Sequence, residues 1–209
     1  MPDYDLDRAY ALGDSDDVKR LYGDWASTYD DSFGAGWGYD APRKIAEIYC
    51  AEMTAENAPV LDLGAGTGLV AEHLAPHVGD IDALDITPEM LRIAGAKGLY
   101  RQLIEADATR PLAFEDGAYG GVISCGTFTH GHVGPECLPE LLRIARPGAL
   151  FACGTIPAVL DGAGFGSALA RLVAAGRIEP VRFREIQIYE AADHEHAQDR
   201  GLVMVFRRL

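Results

Sequence analysis

The sequence predicts an α/β fold: a seven-stranded, mostly parallel sheet with the last strand antiparallel, helices on both faces, and a helical lid at the N-terminus. Three observations predict it. Strand-length apolar runs alternate with helix-patterned segments between Val60 and Cys153. The first run, Val60-Leu61-Asp62-Leu63, passes directly into Gly64-Ala65-Gly66-Thr67-Gly68 and then into Leu69–Leu74, which has helical spacing. Two later runs, Val181–Tyr189 and Leu202–Phe206, flank an acidic, turn-rich link and read as a closing hairpin.

The bulk numbers set bounds. A chain of 209 residues fits one domain, and 48% hydrophobic residues supply a full core. The formal net charge is −14, with no Lys/Arg cluster beyond pairs such as Arg207-Arg208, which ranks nucleic acid low as a partner. The four cysteines, Cys50, Cys125, Cys137 and Cys153, form no C-x-x-C pair and lie in apolar contexts, as reduced thiols of a cytoplasmic protein do. Met1–Asp5 is acidic and lacks the apolar run of a signal peptide. No apolar stretch reaches the roughly 20 residues that cross a bilayer, so no membrane partner is expected.

Taken in order, residues 1–14 are polar, and a helix starts at Asp14 or Ser15 with acids in its first turn. Val18, Leu21, Tyr22, Trp25 and Tyr29 recur along it at three- and four-residue spacing, and the glycine-aromatic stretch Phe33–Tyr39 follows. This segment reads either as a helix docked on a core or as a lid whose aromatic rings close over a ligand. Asp40 caps a second helix, with Pro42 in its first turn and Ile45, Ile48, Tyr49 and Met53 as its buried stripe.

The strand–helix units come next. Asp80–Ile86 is a strand ending in an acid, and Thr87-Pro88-Glu89 opens a helix. Leu99–Ile104 is the third strand, Gly121–Cys125 the fourth and Leu150–Cys153 the fifth, the last preceded by a helix over Leu138–Ala145 and a turn at Arg146–Ala149. Residues 157–177 read as a loop and a short helix stopped by Gly176. The apolar phase slips between Phe183 and Ile186, which predicts a bulge. The chain thus divides into N-terminal helices, residues 1–57, and a strand–helix core, residues 58–209, within one structural domain.

Ligands on parallel sheets sit beyond the carboxyl ends of the strands. Asp85, Asp107 and the segment after Cys125 fall there, and Asp62 lies just before the glycine turn. Glycines allow a backbone to approach a ligand closely, and the N–H groups opening the helix would face a polar or anionic group. A dinucleotide fingerprint wants G-x-G-x-x-G; here Leu69 stands where its third glycine belongs. Asp85 suits a ribose diol in a dinucleotide or in an adenosine equally.

Four motifs in order carry a resemblance. Val60–Gly68 resembles the first motif of class I S-adenosylmethionine-dependent methyltransferases, Asp85–Leu91 the second-strand motif, Glu105-Ala106-Asp107-Ala108 the third, and Arg146–Phe151 the turn into the fifth strand. The resemblance covers residues 18–155 and implies a Rossmann-like sheet, S-adenosylmethionine as cofactor and S-adenosylhomocysteine as product. Val18–Asp30, Ala41-Pro42, Gly98-Leu99-Tyr100 and Leu138–Leu142 are similar to the Williams–Beuren-region methyltransferase-like group, whose acceptors are small molecules. Ala149 stands where that family has a second glycine, and the C-terminal part diverges.

By that resemblance, Gly64, Ala65 and Gly66 pass under the methionine part of the cofactor, and Asp62 meets its ammonium directly or through water. Asp85 takes the ribose hydroxyls, and Ile86 and Met90 border the adenine. Asp107 accepts from the adenine amine, the Ala108 N–H donates to the ring, and the Cys125-Gly126 backbone holds the ammonium end. Tyr22, Trp25 and Tyr29 close from above, where aromatic faces favour the sulfonium. Residues 1–57 would then be a lid over the cofactor site. Each residue also has a plain reading: the acids as loop or strand-end carboxylates, Met90 as core, and the aromatic stripe as packing.

The implied reaction is in-line methyl transfer to a small-molecule acceptor, with a base needed most for an alcohol or phenol. His130, after the fourth strand, is the catalytic candidate, followed by His132; a surface-turn histidine is the plain reading. Neither this pair nor Asp193-His194-Glu195-His196 has further supporting ligands, so no metal is expected. The alternatives are a nucleotide-dependent oxidoreductase and a non-catalytic cofactor-binding protein on the same fold.

Overall fold

The computed structural model describes residues 15–31, 37–129, 133–190 and 196–209. Seven strands form one sheet in the order β3-β2-β1-β4-β5-β7-β6. They are β1 (Val60–Leu63), β2 (Ile81–Asp85), β3 (Gln102–Glu105), β4 (Tyr119–Phe128), β5 (Ala145–Thr155), β6 (Arg182–Gln187) and β7 (Arg200–Arg207). All neighbours pair parallel except β7, which runs antiparallel to both β5 and β6. The helices are α1 (Ser15–Trp25), α2 (Ala41–Glu52), α3 (Leu69–Leu74), α4 (Pro88–Ala96), α5 (Leu138–Ile144), α6 (Pro157–Gly162) and α7 (Phe165–Ala174).

The strand order reverses at β1, which has β2 on one side and β4 on the other. Val60 faces Ile81 in β2 and Gly121 in β4. Alternation along β1 feeds two cores. Leu61 and Leu63 join the cluster holding Leu141, Phe151, Phe165 and Phe206. Val60 points the other way, to Ile45, Tyr49, Leu74, Ile123 and Val205. Both faces are therefore apolar and covered, as a parallel sheet requires. The antiparallel β5–β7 pairing sets Phe151 opposite Phe206, and their rings stack at 4.7 Å. Among the described residues no helix is long and apolar enough to cross a membrane.

Several boundaries differ from expectation. The expected turn at Arg146–Ala149 lies within β5. Tyr119 pairs with Ala145 and Gly121 with Leu150, so the turn residues bulge out of the ladder between those pairings. No bulge interrupts β6: Arg182↔Val205 runs without a break to Gln187↔Arg200. An edge strand needs only one covered face. Ile186 is buried, while Phe183, on the other face, is 45% exposed. Residues 157–177 form two helices rather than one.

The Asp40 carboxylate does not cap α2. It accepts from Arg43 Nε and Nη2, each at 2.6 Å, and pairs with Lys44 at 2.9 Å. Helix α2, placed by its sequence position among the lid helices, belongs to the core layer, with Ile45, Ala46 and Tyr49 fully buried on the sheet. Of the glycine-aromatic stretch, Trp37, Gly38 and Tyr39 are described; Phe33–Gly36 lie outside the described residues, as do His130, His132 and Asp193–Glu195.

Candidate functional site

At the carboxyl ends of β1, β2 and β4 lies a cleft that, with its mouth, encloses about 1020 Å³. The glycine turn forms its floor. Gly64 and Gly66 have φ of +67° and +54°, the left-handed region that favours glycine. They serve different ends. A Cβ on Gly64 would meet Thr127 Oγ1 at 2.0 Å, so this glycine lets β4 close on the turn. A Cβ on Gly66 would meet nothing within 4 Å and would stand in the cleft. Of these two glycines, both of which line the cleft, Gly66 is the one whose missing side chain leaves open space for a ligand.

Asp85, at the end of β2, is 8% exposed and lines the cleft. Its Oδ2 accepts the Gly66 N–H at 2.8 Å and its Oδ1 the Thr87 N–H at 2.8 Å. Burial raises its pKa, against the lowering effect of these N–H donors. The Thr87 side chain and the Ile86 N–H also hydrogen-bond to it, so the carboxylate is held in place by the residues around it. The expectation that the turn's N–H groups face the ligand is corrected at Gly66, whose N–H is spent on Asp85.

Around the cleft stand Ile86, Met90, Asp107 and Ala108 on one side and Cys125 and Gly126 on another. The Asp107 carboxylate is oriented by Thr109, whose N–H and hydroxyl both donate to its Oδ1, at 2.8 and 2.6 Å. Tyr22 and Tyr29 reach the cleft from the N-terminal segment. That segment is clasped to the core by Asp30, which accepts from Thr67 Oγ1 at 2.5 Å and from Lys97 Nζ at 2.6 Å.

Two expected contacts are placed elsewhere. Trp25 is 3% exposed, packs on Tyr189 and lines a second cavity beside the cleft. Tyr22 and Tyr29 line that cavity too, and the three rings pack together. Asp62 is fully buried beneath the floor and does not line the cleft. Tyr100 donates its hydroxyl to Asp62 Oδ2 at 2.7 Å, and Oδ1 has no hydrogen-bond partner among the described residues. Burial lifts the Asp62 carboxyl to about 7, with the Tyr100 bond opposing and the Asp85 charge adding. The candidate base His130 lies outside the described residues.

Sequence reasoning passed over Tyr39, Thr87, Thr127 and Val133, all of which line the cleft. Tyr39 belongs to the glycine-aromatic stretch, which was a usable signal. Thr127 follows Cys125, and its hydroxyl donates to the Leu63 carbonyl at 2.8 Å. Tyr100 as the partner of Asp62 had no signal, since 38 residues separate them.

An adenosyl amino acid fits these residues. The cleft has an open glycine floor, a carboxylate at its edge, apolar side chains at Ile86 and Met90, and an orphaned buried carboxylate oxygen below.

The comparisons agree. Residues 61–153 match the family model of a methyltransferase domain. A ubiquinone biosynthesis O-methyltransferase of Xanthomonas oryzae pv. oryzae is 26% identical over 132 residues, 57% of this chain and 55% of that protein. A demethylmenaquinone methyltransferase of Renibacterium salmoninarum is 29% identical over 136 residues, 64% of this chain and 56% of that protein. The chain spans about half the length of these curated relatives. Among solved structures, the [4+2]-cyclase SpnF superposes with a TM-score of 0.68 at 15% identity, covering 94% of this chain and 97% of that one, a likeness of fold.

Proposed function

We propose that the chain, whose residues 61–153 are a class I S-adenosylmethionine-dependent methyltransferase domain, transfers the cofactor's methyl group to a small-molecule acceptor. The observation that carries this reading is the convergence of Gly66, Asp85 and Asp107 on one cleft from three separate loops. The ubiquinone biosynthesis O-methyltransferase and the demethylmenaquinone methyltransferase among its relatives support a small acceptor.

In this reading Asp85 holds the ribose hydroxyls, Asp107 and the Ala108 N–H take the adenine edge, and Ile86 and Met90 flank the ring. Gly64, Ala65 and Gly66 carry the methionine part, and Asp62 offers its unpartnered oxygen below the ammonium. When bound, S-adenosylmethionine supplies a methyl group on a positively charged sulfur and leaves as neutral S-adenosylhomocysteine. Tyr22 and Tyr29 present aromatic faces to that charge and exclude water from above. Positioning supplies most of the acceleration in such a displacement.

Calorimetry tests the reading. S-adenosylhomocysteine should bind with micromolar affinity and NAD(H) should not. Tight NAD(H) binding without S-adenosylhomocysteine binding would favour the oxidoreductase. Cofactor binding without turnover on any acceptor would favour a non-catalytic, cofactor-binding use of the fold.

A further inference from the structure

We infer that the second cavity is the acceptor pocket, and that it takes an uncharged, flat, largely apolar molecule such as a neutral phenol, oriented by the Tyr39 hydroxyl. The inference rests on the cofactor reading of the first cleft. The two spaces adjoin: Tyr22, Tyr29, Tyr39, Cys125 and Gly126 line both. A molecule in the second space therefore meets the first where the ammonium and sulfur end of the cofactor is expected.

The lining decides the chemistry. This cavity is lined from α1, α2, β4, β5, β6 and β7. Its walls include Trp25, Ile45, Ile156, Ile186, Ile188 and Tyr189, and among the described residues no charged side chain lines it. In a chain with 24% charged residues that composition is selective. A carboxylate or phosphate placed here would lose its hydration with no cation among the described lining residues to replace it, a cost of several kcal/mol or more. A flat apolar ring would bury its faces against aromatic rings; Trp25 and Tyr29 already meet edge to face at 4.9 Å.

The polar lining is sparse. The Thr129 and Thr155 hydroxyls donate to the Gly126 and Phe128 carbonyls, each at 2.9 Å. The Tyr39 hydroxyl meets Cys125 Sγ at 3.1 Å on the seam between the two spaces. Burial raises the pKa of both groups, so Tyr39 stays a neutral hydroxyl able to donate to, or accept from, an acceptor's hydroxyl.

The C-terminal strands build this wall. The Ile188 carbonyl accepts the Asp40 and Ala41 N–H groups at 2.9 and 3.1 Å, and Tyr39 bridges Tyr189. The part of the chain beyond the matched methyltransferase domain thus supplies Ile186, Ile188 and Tyr189 to the pocket.

The test uses matched probes, 4-propylphenol and 3-(4-hydroxyphenyl)propanoate, titrated by calorimetry into the protein saturated with S-adenosylhomocysteine. The phenol should bind at least tenfold tighter than the carboxylate. Ile188→Lys should close or invert that ratio, and Tyr39→Phe should weaken 4-propylphenol threefold or more while leaving propylbenzene unchanged. A cooperative thermal unfolding transition with a midpoint within a few degrees of the parent's confirms that each variant is folded. Equal or tighter binding of the carboxylate, no binding of the phenol up to its solubility, or a ratio unmoved in a folded Ile188→Lys variant overturns the inference. Loss of S-adenosylhomocysteine binding in the parent protein instead overturns the cofactor reading, and the acceptor assignment with it.

Discussion

Asp85 Oδ2 accepts the Gly66 N–H at 2.8 Å, so the acid ending β2 holds the glycine turn that follows β1. One side chain therefore both shapes the cleft floor and faces into it. Asp85→Ala should lower S-adenosylhomocysteine affinity tenfold or more, since charge-assisted bonds contribute about 1.5–3 kcal/mol each. It should also destabilise the free protein by about 1–3 kcal/mol, because the Gly66 and Thr87 N–H groups lose their acceptor. Calorimetry and urea denaturation check the two effects; unchanged affinity would remove Asp85 from the site.

The two glycines of the turn should respond differently to alanine. Gly64→Ala drives a Cβ to within 2.0 Å of Thr127 Oγ1, at a φ of +67°. A loss on the order of 2–4 kcal/mol is expected, as for other overpacked, strained sites. Gly66→Ala meets no neighbour within 4 Å, so its cost is the backbone strain alone, about 1 kcal/mol. Its cofactor affinity should still fall tenfold or more, because the methyl occupies the cleft. Equal losses of affinity and stability in Gly66→Ala would contradict the assignment.

Asp62 should make both stability and binding depend on pH. Its folded-state carboxyl is lifted from 3.8 to about 7, chiefly by burial. Between those values the folded protein keeps a proton that the unfolded chain has released, so stability falls as pH rises from about 4 through 7. Asp62→Asn should flatten that decline and be more stable than the parent at pH 8 by on the order of 2–4 kcal/mol. A ligand ammonium beside Asp62 favours its charged form. S-adenosylhomocysteine should therefore bind more tightly as pH rises from 6 to 8, with proton release measurable by calorimetry in two buffers.

The Asp30 clasp should control exchange rather than fold. Its partners are Thr67 Oγ1 and Lys97 Nζ, the latter also pairing with Glu72 at 2.5 Å. Asp30→Ala should cost less than about 1 kcal/mol of stability, as partly exposed pairs do. Stopped-flow measurement should show S-adenosylhomocysteine leaving severalfold faster, because Tyr22 and Tyr29 lose their anchor.

A buried charge on β2 sets a structural expectation. Asp82 is fully buried, with Arg101 donating at 2.9 and 2.7 Å and Tyr119 at 3.0 Å. Arg101→Met would leave that carboxylate without its cation, and a loss of about 3–5 kcal/mol in denaturant titration is expected. Double replacement with Asp82→Leu should recover much of it.

The sequence by itself determined the alternation of strand and helix, the seven strands, the antiparallel end and the loops that carry the site. These follow from local signals: apolar periodicity, glycine spacing and acids at strand ends. Asp85, Asp107 and Gly66 were legible because each directly follows a strand, where a parallel sheet gathers its loops. Tertiary structure alone decided the division of labour. It gave Gly64 to packing and Gly66 to the cleft, and it buried Asp62 under Tyr100. It also kept Trp25 out of the cofactor cleft, in a second cavity, and brought Ile188 to Tyr39. Those outcomes depend on which distant residue occupies the facing space, and the pairs Asp62–Tyr100 and Tyr39–Cys125 lie 38 and 86 positions apart. Periodicity reports only which side of an element is apolar; the partner that covers it is settled when sheet and helices close around a common core.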